Sequence, residues 1–297
     1  MFQSALETAL RQTMLRAVRP MLNPRIGVPL QRLLVRQAYH SSRPPAGCRF
    51  ETTSHGEVPV TRVSHASSGG DVVLYFHGGG YVLGSAATHR GLTGHLAKAS
   101  GATLIVPDYR LAPEHPYPAA VEDAMAVYQA LLNNGIAPGR IALAGDSAGG
   151  GLSLALAMRL RDEGQPMPAS LTLFSPWTDL TNSQLTAPDC EPVLTHGWID
   201  KAARLYVDGE SATTPLISPV YGDLTGLPPM LIQVGSQEIL LNDAQRLADR
   251  ALNQGVDTTL EIYNSLWHVF QVHAGQLHRA TDAVATAGQF IRRTLTQ

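Results

Sequence analysis

A serine set among small residues, Ala144-Gly145-Asp146-Ser147-Ala148-Gly149-Gly150, directly follows the apolar run Ile141-Ala142-Leu143. In a Gly-x-Ser-x-Gly turn a strand reverses sharply into a helix. The flanking positions leave no room for side chains, and the serine hydroxyl stands clear of the backbone. Ser147 therefore reads as the tip of a nucleophile elbow. The pattern alone is weak, because Gly and Ser are common enough for it to recur by chance in roughly one chain in ten of this length. Its meaning rests on partners elsewhere in the chain.

A serine hydroxyl is a poor nucleophile at neutral pH, so it needs a histidine to take its proton and a carboxylate to orient that histidine. After an elbow the expected chain order is Ser, acid, His. Of the eleven histidines, His268 in Ser265-Leu266-Trp267-His268-Val269-Phe270 falls in the loop between the last strand and the closing helix. His273 and His278 are the alternatives, nearer to or within that helix. The strand Met230-Leu231-Ile232-Gln233-Val234 should deliver the acid, with Glu238 in the following loop, Asp243 in the first helical turn and Asp249 deeper in the helix. An acid in a first turn commonly does no more than complement the helix dipole. Glu238 is preferred and Asp243 stays open.

Attack on a carbonyl puts negative charge on its oxygen, and preorganised N–H donors are each worth about 3 to 4 kcal/mol against that barrier. His77-Gly78-Gly79-Gly80 follows the strand run Asp71 to Phe76, at the sheet edge where such donors are needed. The expected donors are the amides of Gly79, Gly80 and Ala148. Four aromatic residues are candidates to touch substrate: Tyr81 beside the glycines, Trp177 after a strand, Trp198 and Trp267. Asp146 should point away from the reacting hydroxyl in a supporting role, and Asp108, Glu114 and Asp179 should fix loops.

The elements that must hold these groups alternate. Apolar, β-prone runs at 58–63, 71–76, 103–106, 140–144, 170–175, 229–234 and 258–263 are joined through helical patterns at 88–100, 119–132, 148–160 and 242–254, with a last helix at 278–294. Continuous apolar strands linked by helices predict an α/β fold with a parallel sheet buried on both faces. The pattern lapses between Thr178 and Pro215, which reads as an inserted excursion with a short helix at 199–206.

At 297 residues the chain predicts one large domain with a small attachment. A 44% hydrophobic, 15% charged composition with a formal net charge of -2 gives no pull toward nucleic acid or anionic membranes. Residues 1 to 50 are the lopsided region, with eight arginines and a single acid, Glu7. Leu6, Leu10, Met14, Val18 and Met21 recur at helical spacing before Pro24, and a second helix is expected at 30–39. This segment reads either as helices packed on the main domain or as a transit or membrane-surface helix. Cys48 and Cys190 lack metal or redox spacing and are expected as free thiols in a reducing compartment. No run approaches the ~18 apolar residues of a membrane span, so a soluble, cytoplasmic protein is expected.

Taken together, His77-Gly78-Gly79-Gly80, Tyr109-Arg110-Leu111-Ala112-Pro113-Glu114 and Gly145-Asp146-Ser147-Ala148-Gly149 resemble the hormone-sensitive-lipase-like α/β-hydrolases, specifically the bacterial esterase branch with Asp before the serine. The similarity covers nearly everything from about Phe50 onward. It implies the α/β-hydrolase fold, a mostly parallel sheet flanked by helices. It also implies a helical cap built from residues 1–45 and an insert at 180–212, with 46–179 and 213–297 as the catalytic domain. In that family the acid usually lies in an Asp-Pro-Leu motif, onto which Glu238-Ile239-Leu240 falls, a departure in sequence that agrees in position. The implied activity is a carboxylesterase preferring short to medium acyl chains. Ser147, Glu238 and His268 would work through an acyl-enzyme, with no metal or cofactor. The expected partner is a small-molecule ester, with neither nucleic acid nor stable membrane insertion, and a homodimer is left open. An amidase or peptidase using the same machinery, or a receptor that binds without turnover, are the competing classes.

Overall fold

The computed structural model describes residues 2–38, 42–186 and 191–295. Cys190 and the end of the second expected helix, at Tyr39, lie outside them. Eight strands form one sheet: β1 (Arg49–His55), β2 (Val58–Ser64), β3 (Val72–Phe76), β4 (Thr103–Pro107), β5 (Ile141–Asp146), β6 (Leu171–Phe174), β7 (Met230–Gly235) and β8 (Thr258–Tyr263). Their spatial order is β1-β2-β4-β3-β5-β6-β7-β8. The two pairings that involve β2 are antiparallel, and all pairings from β4 through β8 are parallel. β3 to β6 are buried along their whole length, as continuous apolar runs require when helices cover both faces. β1 was not anticipated. Its sequence, Arg-Phe-Glu-Thr-Thr-Ser-His, is almost wholly exposed at the sheet edge, so no apolar pattern announces it.

Successive residues of a strand face opposite sides of the sheet, and the core divides accordingly. Val72, Leu74 and Phe76 join one apolar cluster with residues of α5 (Ala119–Asn133), α6 (Ala148–Asp162) and α8 (Leu241–Asn253). Val73 and Tyr75 join another with α4 (Arg90–Ser100) and α9 (His278–Leu295). Each predicted helix of this layer is present to within a few residues.

Above the carboxyl ends of the parallel strands lies a third set of helices. At the N-terminus α1 (Phe2–Thr13) runs through a π-helical turn (Met14–Val18) into α2 (Arg19–Met21), and α3 (Val28–Ala38) follows. The excursion contributes α7 (His196–Val207), capped by the Thr195 hydroxyl, which accepts from the Trp198 amide. Arg11 is bonded to the Gln237 side chain. Arg19 donates to the Glu191 carbonyl, and Arg32 to the Val82 and Ala112 carbonyls and the Glu114 carboxylate. Lys201 of α7 donates to the carbonyls of Pro24 and Ile26, joining the two parts of this layer. These basic side chains are turned onto the protein. Among the described residues no helix is long and apolar enough to cross a membrane.

Candidate active site

The elbow forms because nothing larger than glycine fits beside it. A Cβ at Gly149 would lie 2.0 Å from the Phe76 carbonyl oxygen, and one at Gly145 would lie 2.3 Å from that of Gly149. Those contacts let β5 turn directly into α6 beneath β3. Ser147 takes the strain of the reversal, with φ 54° and ψ -121°. Its amide donates to the Phe174 carbonyl of β6, and its carbonyl accepts from Trp177 and from Gly150 and Gly151 in α6. The hydroxyl faces a cavity whose walls include Gly78, Gly79, His89, Asp146, Trp198, Trp267 and His268.

His268 enters the same cavity from the loop after β8. Its Nδ1 donates to Glu238 Oε2 at 2.8 Å, which leaves Nε2 as the nitrogen available on the cavity side. Among the described residues Ser147 and His268 share the cavity without a closed hydrogen bond between them. Nucleophile and base pairs are often this loose without substrate. Glu238 is fully buried, and its Oε1 accepts from the Gly235 amide at 2.6 Å and the Ser175 hydroxyl at 2.8 Å. Burial lowers the affinity of His268 for a proton, but the Glu238 hydrogen bond and charge, with smaller help from Glu191 and Asp146, override it and raise the imidazole above its ordinary value.

The other acids are held elsewhere. Asp243 Oδ2 accepts the amides of Thr178 and Asp179, fixing the loop after β6, and burial pushes its carboxyl up to about 7. Asp249 is exposed on α8. The structure thus brings Glu238, and neither aspartate, to His268. His273 lies in a short 3-10 turn (Phe270–His273), and His278 opens α9.

The glycine loop is locked from below. Asp146 Oδ1 accepts from the Tyr75 hydroxyl at 2.7 Å and the Gly78 amide at 3.0 Å, and Oδ2 pairs with His89 Nε2 at 3.3 Å. Burial disfavours the Asp146 charge, but His89 and the Tyr75 hydroxyl outweigh it and keep the carboxyl below its usual range. Gly79 has φ +121°, a conformation open to glycine alone at little cost. Among the described residues no protein acceptor takes the N–H of Gly79, Gly80 or Ala148. The Trp198 ring presses on Gly80, where a Cβ would meet it at 2.8 Å.

Two of the four nominated aromatics, Trp198 and Trp267, line the cavity, whereas Tyr81 and Trp177 do not. Tyr81 stacks on Tyr206 with 3.8 Å between ring centroids, and the Trp177 indole donates to Asn182. Both rings turn into the core, because adjacency along the chain does not fix the direction of a side chain. Asp108, Glu114 and Asp179 hold loops, accepting from the Ala86 amide, Arg32 and Arg246 respectively. Met14 and Val18 of the N-terminal apolar face line the cavity, whereas His89, Glu191, Val193, Leu194 and Ser175 are not singled out by the sequence. Only Ser175 had a visible signal, as a small polar residue closing an apolar strand. Among the described residues no three His, Cys, Asp or Glu side chains gather as a metal site would require.

The sheet, the elbow and the cavity at the carboxyl ends of the parallel strands define an α/β-hydrolase. Residues 73–272 match the family described as alpha/beta hydrolase fold. An acetyl-hydrolase of Streptomyces hygroscopicus is 44% identical over 240 residues, covering 80% of each chain. A crystal structure of an esterase from the bacterial hormone-sensitive lipase family is 38% identical with a TM-score of 0.89, covering 96% of this chain and 98% of that one. A structure of EstE5 soaked by p-nitrophenyl butyrate is 36% identical with a TM-score of 0.92, covering 98% and 99%. The chain belongs to the bacterial hormone-sensitive-lipase family of α/β-hydrolases and is a carboxylic ester hydrolase.

Proposed function

We propose that the protein hydrolyses esters of short to medium acyl chains through an acyl-enzyme on Ser147, with His268 as base and Glu238 as the acid that orients it. The observation that carries this reading is the 2.8 Å bond between Glu238 and His268 Nδ1, made by a histidine that shares its cavity with the strained serine. His268 Nε2 takes the hydroxyl proton as the oxygen attacks the ester carbonyl, then gives it to the departing alcohol. A water deprotonated by the same nitrogen releases the acid and restores the serine. The free amides of Gly79, Gly80 and Ala148 receive the oxyanion.

What faces the serine supports an apolar acyl group. Leu83, Val193, Leu194, Trp198 and Trp267 wall the cavity with apolar surface, which suits a neutral acyl chain. The acetyl-hydrolase name of one relative and the p-nitrophenyl butyrate used with another accord with the short to medium range. Residues 1–45 and 180–212 act as a cap, since Met14, Val18, Val193, Leu194 and Trp198 reach the cavity from those two segments. The reaction needs no metal or cofactor.

Rates for p-nitrophenyl esters from acetate to laurate, beside Ser147→Ala and a matched anilide, test the reading. Hydrolysis should peak within the short to medium esters and vanish with Ser147→Ala. An optimum at laurate, a faster anilide or a fully active Ser147→Ala protein would reject it.

A further inference from the structure

Three successive residues of the turn that carries Glu238, namely Gln237, Glu238 and Ile239, are bonded by the N-terminal helix and the excursion. Arg11 is bonded to the Gln237 side chain, and the Thr186 hydroxyl donates to the Glu238 carbonyl at 2.6 Å. The Thr186 amide donates to the Ile239 carbonyl at 2.9 Å. The Ile239 amide donates to Glu191 Oε2 at 3.3 Å. The other carboxylate oxygen of Glu191 accepts the amides of Val193 at 2.7 Å and Leu194 at 3.3 Å, two residues that line the cavity. The Glu191 carbonyl accepts from Arg19. Glu191 thus joins the N-terminal segment, the cavity wall and the acid turn while itself only 3% exposed. A buried carboxyl of this kind is costly unless it is satisfied, and three amide donors satisfy it.

We infer that Glu191 is a second carboxylate of the site, a positioning residue that ties the cavity wall at Val193 and Leu194 to the turn carrying Glu238 and, through that turn, acts on His268. The inference rests on the triad proposed above. Among the described residues, the ionisable groups that bear on it are Arg19 from the N-terminal helices, Glu238 from the acid turn and His268 from the loop after β8. Burial pushes the Glu191 carboxyl up to about 7, the His268 imidazolium draws it down and the Glu238 charge pushes it up again. In turn the Glu191 charge is among the influences that raise His268. Each group therefore bears on the protonation of the other. Ionised, Glu191 favours the imidazolium that forms during acyl transfer. Neutral, it relieves the repulsion felt by Glu238.

The test is the pH profile of kcat/KM for p-nitrophenyl acetate hydrolysis by the full chain and by Glu191→Gln, Glu191→Ala, Thr186→Val and His268→Ala. Glu191→Gln keeps an oxygen for Val193 and Leu194 but removes the charge, so the acid limb should move to lower pH. Glu191→Ala should move the limb the same way and also lower kcat by roughly tenfold or more through misplacement of the acid turn. Thr186→Val loosens the same turn without changing a charge. It should lower kcat and leave the limb where it is, which guards against poor folding of the Glu191 variants. An unmoved limb in Glu191→Gln, or an equal movement in Thr186→Val, overturns the inference while His268→Ala remains inactive. If His268→Ala stays active, the triad reading fails and takes the inference with it.

Discussion

The turns bearing Ser147 and Glu238 end parallel strands only one strand apart, β5 and β7, yet they are held in different ways. Ser147 is fixed from within the sheet layer, by backbone bonds to Phe174 and Trp177 and by glycines that let main chains meet. Glu238 is fixed partly from outside that layer, by side chains of the N-terminal helices and the excursion. The geometry at Ser147 thus belongs to the sheet, whereas the turn carrying Glu238 is held both by the sheet layer and by the N-terminal helices and the excursion.

The largest effects should come from the atoms that react. Ser147→Ala and His268→Ala should each lower kcat by on the order of 10⁶, measured by steady-state hydrolysis of p-nitrophenyl butyrate. Glu238→Gln should cost about 10⁴. Asp243→Asn keeps an acceptor for the Thr178 and Asp179 amides, so it should retain near wild-type kcat. Reversal of that order in the same assay would move the acid role to Asp243.

On the sheet side of the comparison, Gly149→Ala should destabilise by about 1–3 kcal/mol or more, because the added methyl must displace the Phe76 carbonyl. Denaturant unfolding reads that loss. On the side of the N-terminal helices, Arg32→Ala should cost about 1–3 kcal/mol, since its ion pair with Glu114 is partly exposed but the carbonyls of Val82 and Ala112 lose a part-buried donor. Its effect should fall on KM more than on the melting temperature.

The pH dependence follows from His268. With His268 as the proposed base, activity should need the neutral imidazole, and the rate should rise with pH through a midpoint above the ordinary histidine value of about 6.5. The linked stability has the opposite sense. Protonation of His268 stabilises the fold below the unfolded value, and that contribution is lost as pH rises through the raised folded value. Titration of His268 by NMR in the folded protein checks both.

The parts legible in the sequence are those whose cause is local. Gly145, Gly149 and Gly79 sit where backbone approach or a positive φ admits nothing else, and the apolar runs of β3 to β6 announce burial on two faces. Chain order then narrowed the acid and the base to a few residues. Ser175, His89 and Glu191 matter through contacts 48 to 172 residues away in sequence, as in the bonds from the Val269 amide to Ser175, between His89 and Asp146, and from Ile239 and Arg19 to Glu191, and no local pattern encodes those contacts. Tyr81 and Trp177 show the reverse case, in which chain adjacency to the site is undone by rings that find better packing in the core. β1 escaped notice because an exposed edge strand carries no apolar alternation.

The central claim is that Ser147 is the acylated residue. Incubation with an alkyl p-nitrophenyl phosphonate, followed by peptide mass spectrometry, tests it most directly. The account predicts one phosphonyl group per chain, on the peptide containing Ser147, formed in step with loss of esterase activity and strongly slowed in His268→Ala. Complete inactivation with Ser147 unmodified, or the group on another residue, would contradict it.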